Sequence, residues 1–429
     1  MAEPIQELSS ESVALDDVTE AGDEKLYVSS LVSLVEERFT KAETARRPYE
    51  EQWLRNYKNY RGVYDDSVKF TEAEKSRVFI KVTKTKVLAA YGQITDVLFS
   101  AGRFPLSVDP TVLPEGITGD VHYDPADEEE GEEASPYGFA GDGNDLPAGS
   151  TESSLQLGSL EAKLEGKNVK EGAGTSPTSV NYSPAMIAAK RMEKKIHDQL
   201  EESEATKQLR SSVFEMSLFG TGIMKGPMAV DKEYPDWDKE GTYKPTTKTV
   251  PTVSYVSVWD WYPDPDAGTV NDLGYSTQRH KMNRSQLREL KRRPFFRKEV
   301  IESVITQGES YTKKYWEDDL KDYQIDTGVD RFEVLEYWGV MDMATIEEHD
   351  IEVPEELETA DELQVNIWTC NGRAIRSVLN PFKPVRSPYY AVPYEHNPYS
   401  IFGIGLAENM DDTQTLMNGF MRMAVDNAV

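Results

Sequence analysis

Apolar side chains recur at helical spacing in four stretches of this chain. Leu26, Leu31, Leu34, Val35 and Phe39, then Tyr49, Trp53, Leu54 and Tyr57, predict helix from Lys25 to about Tyr60. Pro48 is expected to divide it into two helices, with Gly62 as the stop. A second helix is predicted from Thr83 to Ser100, with Val87, Leu88, Tyr91, Ile94, Leu98 and Phe99 on its apolar side and Gly102 and Pro105 beyond its end. Ser183-Pro184 is a cap followed by a first-turn proline, and the period then runs from Ala185 to Phe219 until Gly220 and Gly222 end it. The fourth stretch, Asn397 to Val429, starts as an aromatic turn broken by glycine and becomes an amphipathic helix carrying Leu406, Met410, Leu416, Met417, Phe420, Met421 and Ala424.

Between the third and fourth helical stretches the period changes. VPTVSYVSVWDWYPDP alternates in part and closes on Pro-Asp turns, so strands are predicted between Ile223 and about Val270. RFEVLEYWGVM (Arg331 to Met341) is a further strand, and LQVNIWTCNGRAIRSV (Leu363 to Val378) is a hairpin turning at Asn371-Gly372. Asn283-Arg284-Ser285 opens a short basic helix, and another is predicted around Lys298 to Gln307. Pro381 to Pro398 reads as an extended connector. The sum is a helix-rich α+β chain.

Composition changes the picture in one place. From Pro110 to Pro184 acid, Gly, Ser and Pro dominate, including DEEEGEE at Asp127 to Glu133, and too few large aliphatics remain to offset the entropy of ordering. The expected division is an acidic disordered tail over 1–24, a helical part over 25–109, a disordered insertion over 110–184, helices and strands over 185–396, and a terminal helix over 397–429. The net charge of -29 disfavours adhesion to DNA or anionic membranes, while leaving a wall past which a duplex could slide. A single cysteine, Cys370, excludes an internal disulfide, and no run has the roughly 18 apolar residues that span a bilayer.

Candidate chemistry is sparse. GTGIMKG (Gly220 to Gly226) follows a helix and precedes strands, the reverse of a phosphate loop, and Lys225 stands before its glycine; a helix end entering a hairpin explains it better. Asp260, Asp264 and Asp266 lack the calcium-loop offsets, as does GDGND at Gly141 to Asp145. None of the five histidines lies three or four residues from another or near Cys370, so a zinc or His/Cys nucleophilic site is poorly supported, and the acids are too abundant to single out a pair; no metal, cofactor or catalytic residue is named. The basic run RSQLRELKRRPFFRK, with Arg284, Arg292 and Arg293, stands out in an acidic chain. It is either a solvated helix face or a contact for an acidic surface or DNA, and Phe295 and Phe296 suit a protein contact better.

Five segments, in order, resemble the portal proteins of tailed bacteriophages, especially short-tailed phages. They are the first helix with Arg46, Arg47, Trp53 and Tyr57 before YRGVY; the helix TKVLAAYGQITDVLF followed by FPLSVDP; the long helix closing on Gly-Thr-Gly with a lysine; VSVWDWYPDPDA followed by YSTQRHKMNRSQLREL; and the terminal Phe-Gly turn with Gln414, Asn418, Arg422 and Asp426-Asn427. The resemblance implies a non-enzymatic ring, usually of twelve subunits, at one capsid vertex of the virion, made in the host cytoplasm. Such rings nucleate assembly with major capsid and scaffolding proteins, dock the terminase large subunit, bind head-to-tail adaptors and conduct double-stranded DNA non-specifically, with no membrane involved. On this reading 25–109 and 185–396 form the wing, and 397–429 starts the stem helix. The clip, tunnel and crown are expected beyond Val429, as if the chain were one piece of a longer polypeptide. Leu406, Met410, Leu416, Met417, Phe420 and Met421, with Arg284, Arg292 and Arg293, are the candidate contacts for a subunit or partner. Two other classes stay open: a cytoplasmic hydrolase with acidic catalytic residues, which needs carboxylates converging in one pocket, and a non-viral scaffold, which forms no closed ring.

Overall fold

The computed structural model describes residues 9–65, 68–70, 75–99, 104–111, 121–122, 181–182, 184–237, 241–309, 311–321, 331–349 and 351–428, the last apart from 352, 355–356, 358–359 and 384, with side chains from Ser30 onward except at 121–122, 181–182 and 184. Nearly all of the acidic insertion, including Asp127 to Glu133 and GDGND, lies outside these residues.

Two compact units emerge. The smaller, 106–197, contains the antiparallel pair β1 (Val121–His122) and β2 (Asn181–Tyr182) and most of α3 (Pro184–Glu202). Within it the Val108 N–H donates to Glu193, 3.3 Å away.

The larger unit is helix-rich α+β, as expected. Its helices are α1 (Ser9–Arg61), α2 (Val82–Phe99), α4 (Ala205–Phe219), α5 (Arg284–Leu290), α6 (Lys298–Gln307), α7 (Trp316–Lys321), α8 (Met343–Glu348), α9 (Leu406–Asn409) and α10 (Asp411–Ala428). An antiparallel sheet has the order β5 (Trp261–Pro263), β6 (Tyr275–Asn283), β7 (Arg331–Asp342), β8 (Glu362–Cys370), β9 (Arg373–Leu379). A second has β3 (Thr221–Tyr234) between β10 (Tyr389–Pro393) and β4 (Thr246–Val256), where Pro251 is tolerated because β4 is an edge strand.

Strand alternation sorts the core. Leu335, Tyr337 and Met341 of β7, with Val365 and Ile367 of β8, meet Leu31, Val32, Val35 and Phe39 of α1. On the other face Phe332, Val334, Trp368 and Cys370 meet Leu287, Leu290, Phe296, Ile301 and Val304 from α5, α6 and the turn joining them. β7 is therefore covered on both faces, which is why RFEVLEYWGVM shows little alternation. A third core is aromatic: Trp53 lies edge-on to Trp259 at 5.5 Å and to Phe402 at 5.0 Å, and Trp259 packs on Trp316 at 4.8 Å.

Four expectations need correction. α1 passes through Pro48 unbroken; the lost backbone bond is outweighed because Arg46, Glu50 and Trp53, on both sides of it, are buried against the same body. The period from Ala185 to Phe219 belongs to two helices, divided at Glu204, whose φ of 53° no helix continues. β6 was hidden in polar YSTQRHKMN, and β10 in the supposed connector. The terminal helix is also two, α9 and α10, so Leu406 and Met410 do not continue the stripe of Leu416 to Met421.

Candidate assembly interface

Besides the packing of Trp53 on Trp259 and Phe39 on Tyr262, one polar side chain ties α1 to the WDWY segment. Arg46, buried, donates to the carbonyls of Val258 (3.1 Å), Trp259 (2.9 Å) and Trp261 (2.6 Å), and to Glu50 Oε1 at 2.6 and 3.0 Å; its guanidinium lies 3.6 Å from the Tyr262 ring centroid. Fixed carbonyl dipoles and a carboxylate satisfy the charge that burial would otherwise penalise. Beside this joint the end of α4 crosses the turn before α9. Gly220 caps α4 with φ 97° and its carbonyl accepts from the Tyr394 N–H at 2.8 Å; the Gly403 N–H donates to Thr221 Oγ1 at 2.9 Å.

α10 leaves this crossing, and its two faces are inverted. The face toward its own chain is polar. Gln414, fully buried, accepts from Thr83 N (3.0 Å) and Thr83 Oγ1 (2.9 Å) and donates to the Ile80 carbonyl (2.5 Å). Asn418 accepts from Ile80 N at 3.0 Å, and Asp426 from Ser76 N at 2.8 Å. Arg422 stacks over Tyr64 and Phe70, with ring centroids 5.3 and 5.1 Å away. The opposite face is apolar and open: Leu416 is 61% exposed, Phe420 62% and Met423 54%, with Met417 and Met421 close by and also exposed. An ordinary surface helix does the reverse.

The other site residues fall elsewhere. Leu406 and Met410 are half-buried on and just after α9. Arg284 opens α5 half-buried, with Asn283 as its cap, while Arg292 and Arg293 are exposed in the turn between α5 and α6. No protein-family model and no curated protein matches this chain.

The acids named in the WDWYPDPD segment each have a separate polar partner, although Asp260 shares Arg279 with Glu317 and Glu333. Asp260 lies 3.8 Å from Arg279, Asp264 accepts from the Asp266 N–H at 3.2 Å, and exposed Asp266 pairs with Lys41 at 3.1 Å. Among the described residues no three His, Cys, Asp or Glu side chains are placed to hold a metal, and no helix is long and apolar enough to cross a membrane.

Among the described residues four buried glutamates, Glu50, Glu215, Glu317 and Glu336, escaped the sequence reading. Glu336 on β7 accepts from Lys225 on β3 at 2.6 and 2.5 Å and from Trp338 Nε1 at 2.8 Å, and bonds His280 on β6 at 2.7 Å, so it joins the two sheets. Burial opposes its charge, but Lys225 and then His280 hold the carboxyl well below the usual carboxylate range. A glutamate at an otherwise apolar position of RFEVLEYWGVM was the only signal.

Glu215 on α4 reaches a cleft of about 1110 Å³ lined by Leu88, Tyr91, Phe214, Trp259 and Leu320. Both of its oxygens are engaged, by Ser257 Oγ and by the Val258 N–H, each at 2.8 Å. Burial pushes its pKa up to about 7, against hydrogen bonds from Tyr255, Val258 and Ser257. The folded state thus holds this proton more tightly than the unfolded chain. The stability it contributes is complete below the ordinary value of 4.5 and is lost as pH rises through about 7. The Glu215→Gln variant should therefore lose this pH dependence. Relative to it, the wild type should weaken by about 3 kcal/mol between pH 4.5 and pH 8. Denaturant midpoints of both proteins across that range check this, and parallel curves would refute it.

Proposed function

We propose that this chain is the wing and first stem segment of a portal-type ring protein. It would act without turnover, assembling into a closed ring at a capsid vertex, virion-bound, around a passage for double-stranded DNA. Capsid and scaffolding proteins, the terminase large subunit and head-to-tail adaptors are its proposed partners. The observation that carries this reading is the inverted α10. A helix held to its own chain by Gln414, Asn418 and Asp426, with Leu416, Phe420 and Met423 in solvent, is built for a neighbour that covers the apolar face. A covered patch that is not self-complementary generates a heterologous contact, and a ring when the rotation closes. The order of the motif segments along the chain supports the portal form of ring, and the acid excess supports passage of DNA without adhesion.

Light scattering after gel filtration, with negative-stain microscopy, tests the reading. Closed rings with a central channel are expected of the full-length protein at micromolar concentration. Phe420→Glu combined with Met421→Glu should release smaller species with an unchanged circular dichroism spectrum, since both side chains are exposed in the single chain. A full-length wild-type protein that stays monomeric sinks the proposal, and open or irregular assemblies favour a scaffold instead.

A further inference from the structure

The turn between α5 and α6 puts a concentrated positive surface on a chain of net charge -29. It is contiguous with the edge strand β9, because the Arg297 N–H donates to the Ile375 carbonyl at 2.9 Å. Arg292, Arg293 and Arg297 are exposed on the turn, and on β9 beside it Arg373 is exposed and Arg376 half-buried. Arg373 donates to Ser303 Oγ at 2.5 Å. Arg376 rests over the Phe296 ring, 5.2 Å from its centroid, with Nε buried and lacking a hydrogen-bond partner among the described residues.

Two features mark this surface as unfinished. The first is electrostatic. Burial lowers the pKa of Arg376, the charge of Glu336 opposes that, and the like charge of Arg293 lowers it further. Neither arginine makes an ion pair among the described residues, although the chain has acids to spare. Lys291, by contrast, is already paired with Glu302. The second is steric. Phe296 is buried edge-on to Trp368 at 5.4 Å, and with it as the plug the preceding Phe295 takes φ 65° and stands 68% exposed. A bulky residue in the left-handed region is held there only when its surroundings demand it, and such residues gather at binding sites. Arginines around one exposed aromatic have the composition of an interface anchor.

We propose that this face docks an acidic protein segment, its carboxylates on Arg292, Arg293 and Arg376 and one of its apolar side chains over Phe295. Guanidinium forks pair two-pronged with carboxylates, which completes the crowded arginines. Duplex DNA fits less well. Its outer surface is a ladder of phosphates with nothing apolar to cover the exposed Phe295. The proposal does not depend on ring formation.

Fluorescence anisotropy on the whole protein tests it, with a labelled peptide Glu-Glu-Phe-Glu-Glu-Leu-Glu-Glu and a labelled short DNA duplex as probes. The peptide should bind at low salt and weaken as salt rises. Arg292→Glu with Arg293→Glu should weaken it by at least about tenfold, the scale of a lost anchor. Phe295→Ser should weaken it by about fivefold with little change in salt dependence, which separates the aromatic contribution from the charge. Gel filtration and circular dichroism of the variants should match the wild type, since all three side chains lie at the surface. Tighter binding of the duplex than of the peptide, no peptide binding, or variants that bind as the wild type does would each overturn the proposal.

Discussion

Gly220→Ala should yield no stably folded protein. The residue sits at φ 97°, where an L side chain costs about 1–2 kcal/mol before any contact is considered. The added Cβ would then lie 2.2 Å from the Gly403 carbonyl oxygen and 2.6 Å from the Gly405 nitrogen. These are backbone atoms, and they cannot swing aside as a side-chain tip can. The crossing strand is pinned on both sides, by the Tyr394 N–H on the Gly220 carbonyl and by the reciprocal bonds between Glu395 and Ile404. The approach is mutual: a Cβ on Gly405 would meet the Leu218 carbonyl at 2.6 Å. Separating the two segments would open the aromatic core at Phe219 and Phe402, so the total should exceed about 4 kcal/mol, beyond ordinary substitutions. Gly419→Ala is the matched control. Gly419 lies inside α10 with nothing within 4 Å of its missing Cβ, so alanine there should stabilise by about 0.5–1 kcal/mol. Soluble yield of both variants and the urea midpoint of Gly419→Ala against the wild type check the contrast; a soluble Gly220→Ala with the wild-type midpoint would mean the crossing is looser than drawn.

That crossing shows what the sequence could and could not reveal. The glycines of GTG and FGIG were visible as helix and turn punctuation, and Gly220 is the cap that the period of α4 required. Their meeting was not visible, because close approach is a property of two segments 182 residues apart in the chain, as the Gly403 N–H bond to Thr221 makes plain. Helices with an apolar stripe were legible, as was the hairpin at Asn371-Gly372, where both residues have positive φ. β6 was not, since Arg279, His280 and Lys281 read as surface until their partners Glu333, Glu336 and Glu317 are seen across and beside the sheet. Pro48 misled for the opposite reason: local propensity favoured a break, and tertiary burial on both sides overrode it. In the terminal helix the stripe Leu416, Met417, Phe420, Met421 was legible as a face. Which side of the helix met its own chain was decided by Gln414 and Asn418, whose amides match the open backbone groups of Ile80 and Thr83.

The second large effect is expected at Glu336. Replacing it by alanine leaves Lys225 buried between the sheets without its carboxylate, its Nζ retaining a 3.3 Å contact to Gln278 Oε1 and the Tyr389 ring 5.5 Å away. It also strips Trp338 Nε1 and His280 of their shared acceptor. Breaking a buried pair from one side typically costs about 3–5 kcal/mol, because the remaining ion keeps its desolvation penalty without compensation. Changing both partners to apolar residues, Lys225→Met with Glu336→Leu, removes both penalties. The double variant should therefore be more stable than Glu336→Ala alone, a coupling that a double-mutant cycle isolates. The pH response has a definite sign. The carboxyl titrates well below its ordinary value in the folded protein, so its stabilisation is present above the unfolded pKa near 4.5 and is lost as pH falls toward the folded value. Acid denaturation of the wild type should accordingly be steeper below pH 4.5 than that of the double variant. The two sheets share this carboxylate, and the joint they form holds β7 beneath α1. Its loss should expose the Trp338 and Tyr389 side together, as one cooperative shift in tryptophan fluorescence. Two separate transitions, or a Glu336→Ala variant as stable as the wild type, would show that the sheets are held by their apolar contacts alone.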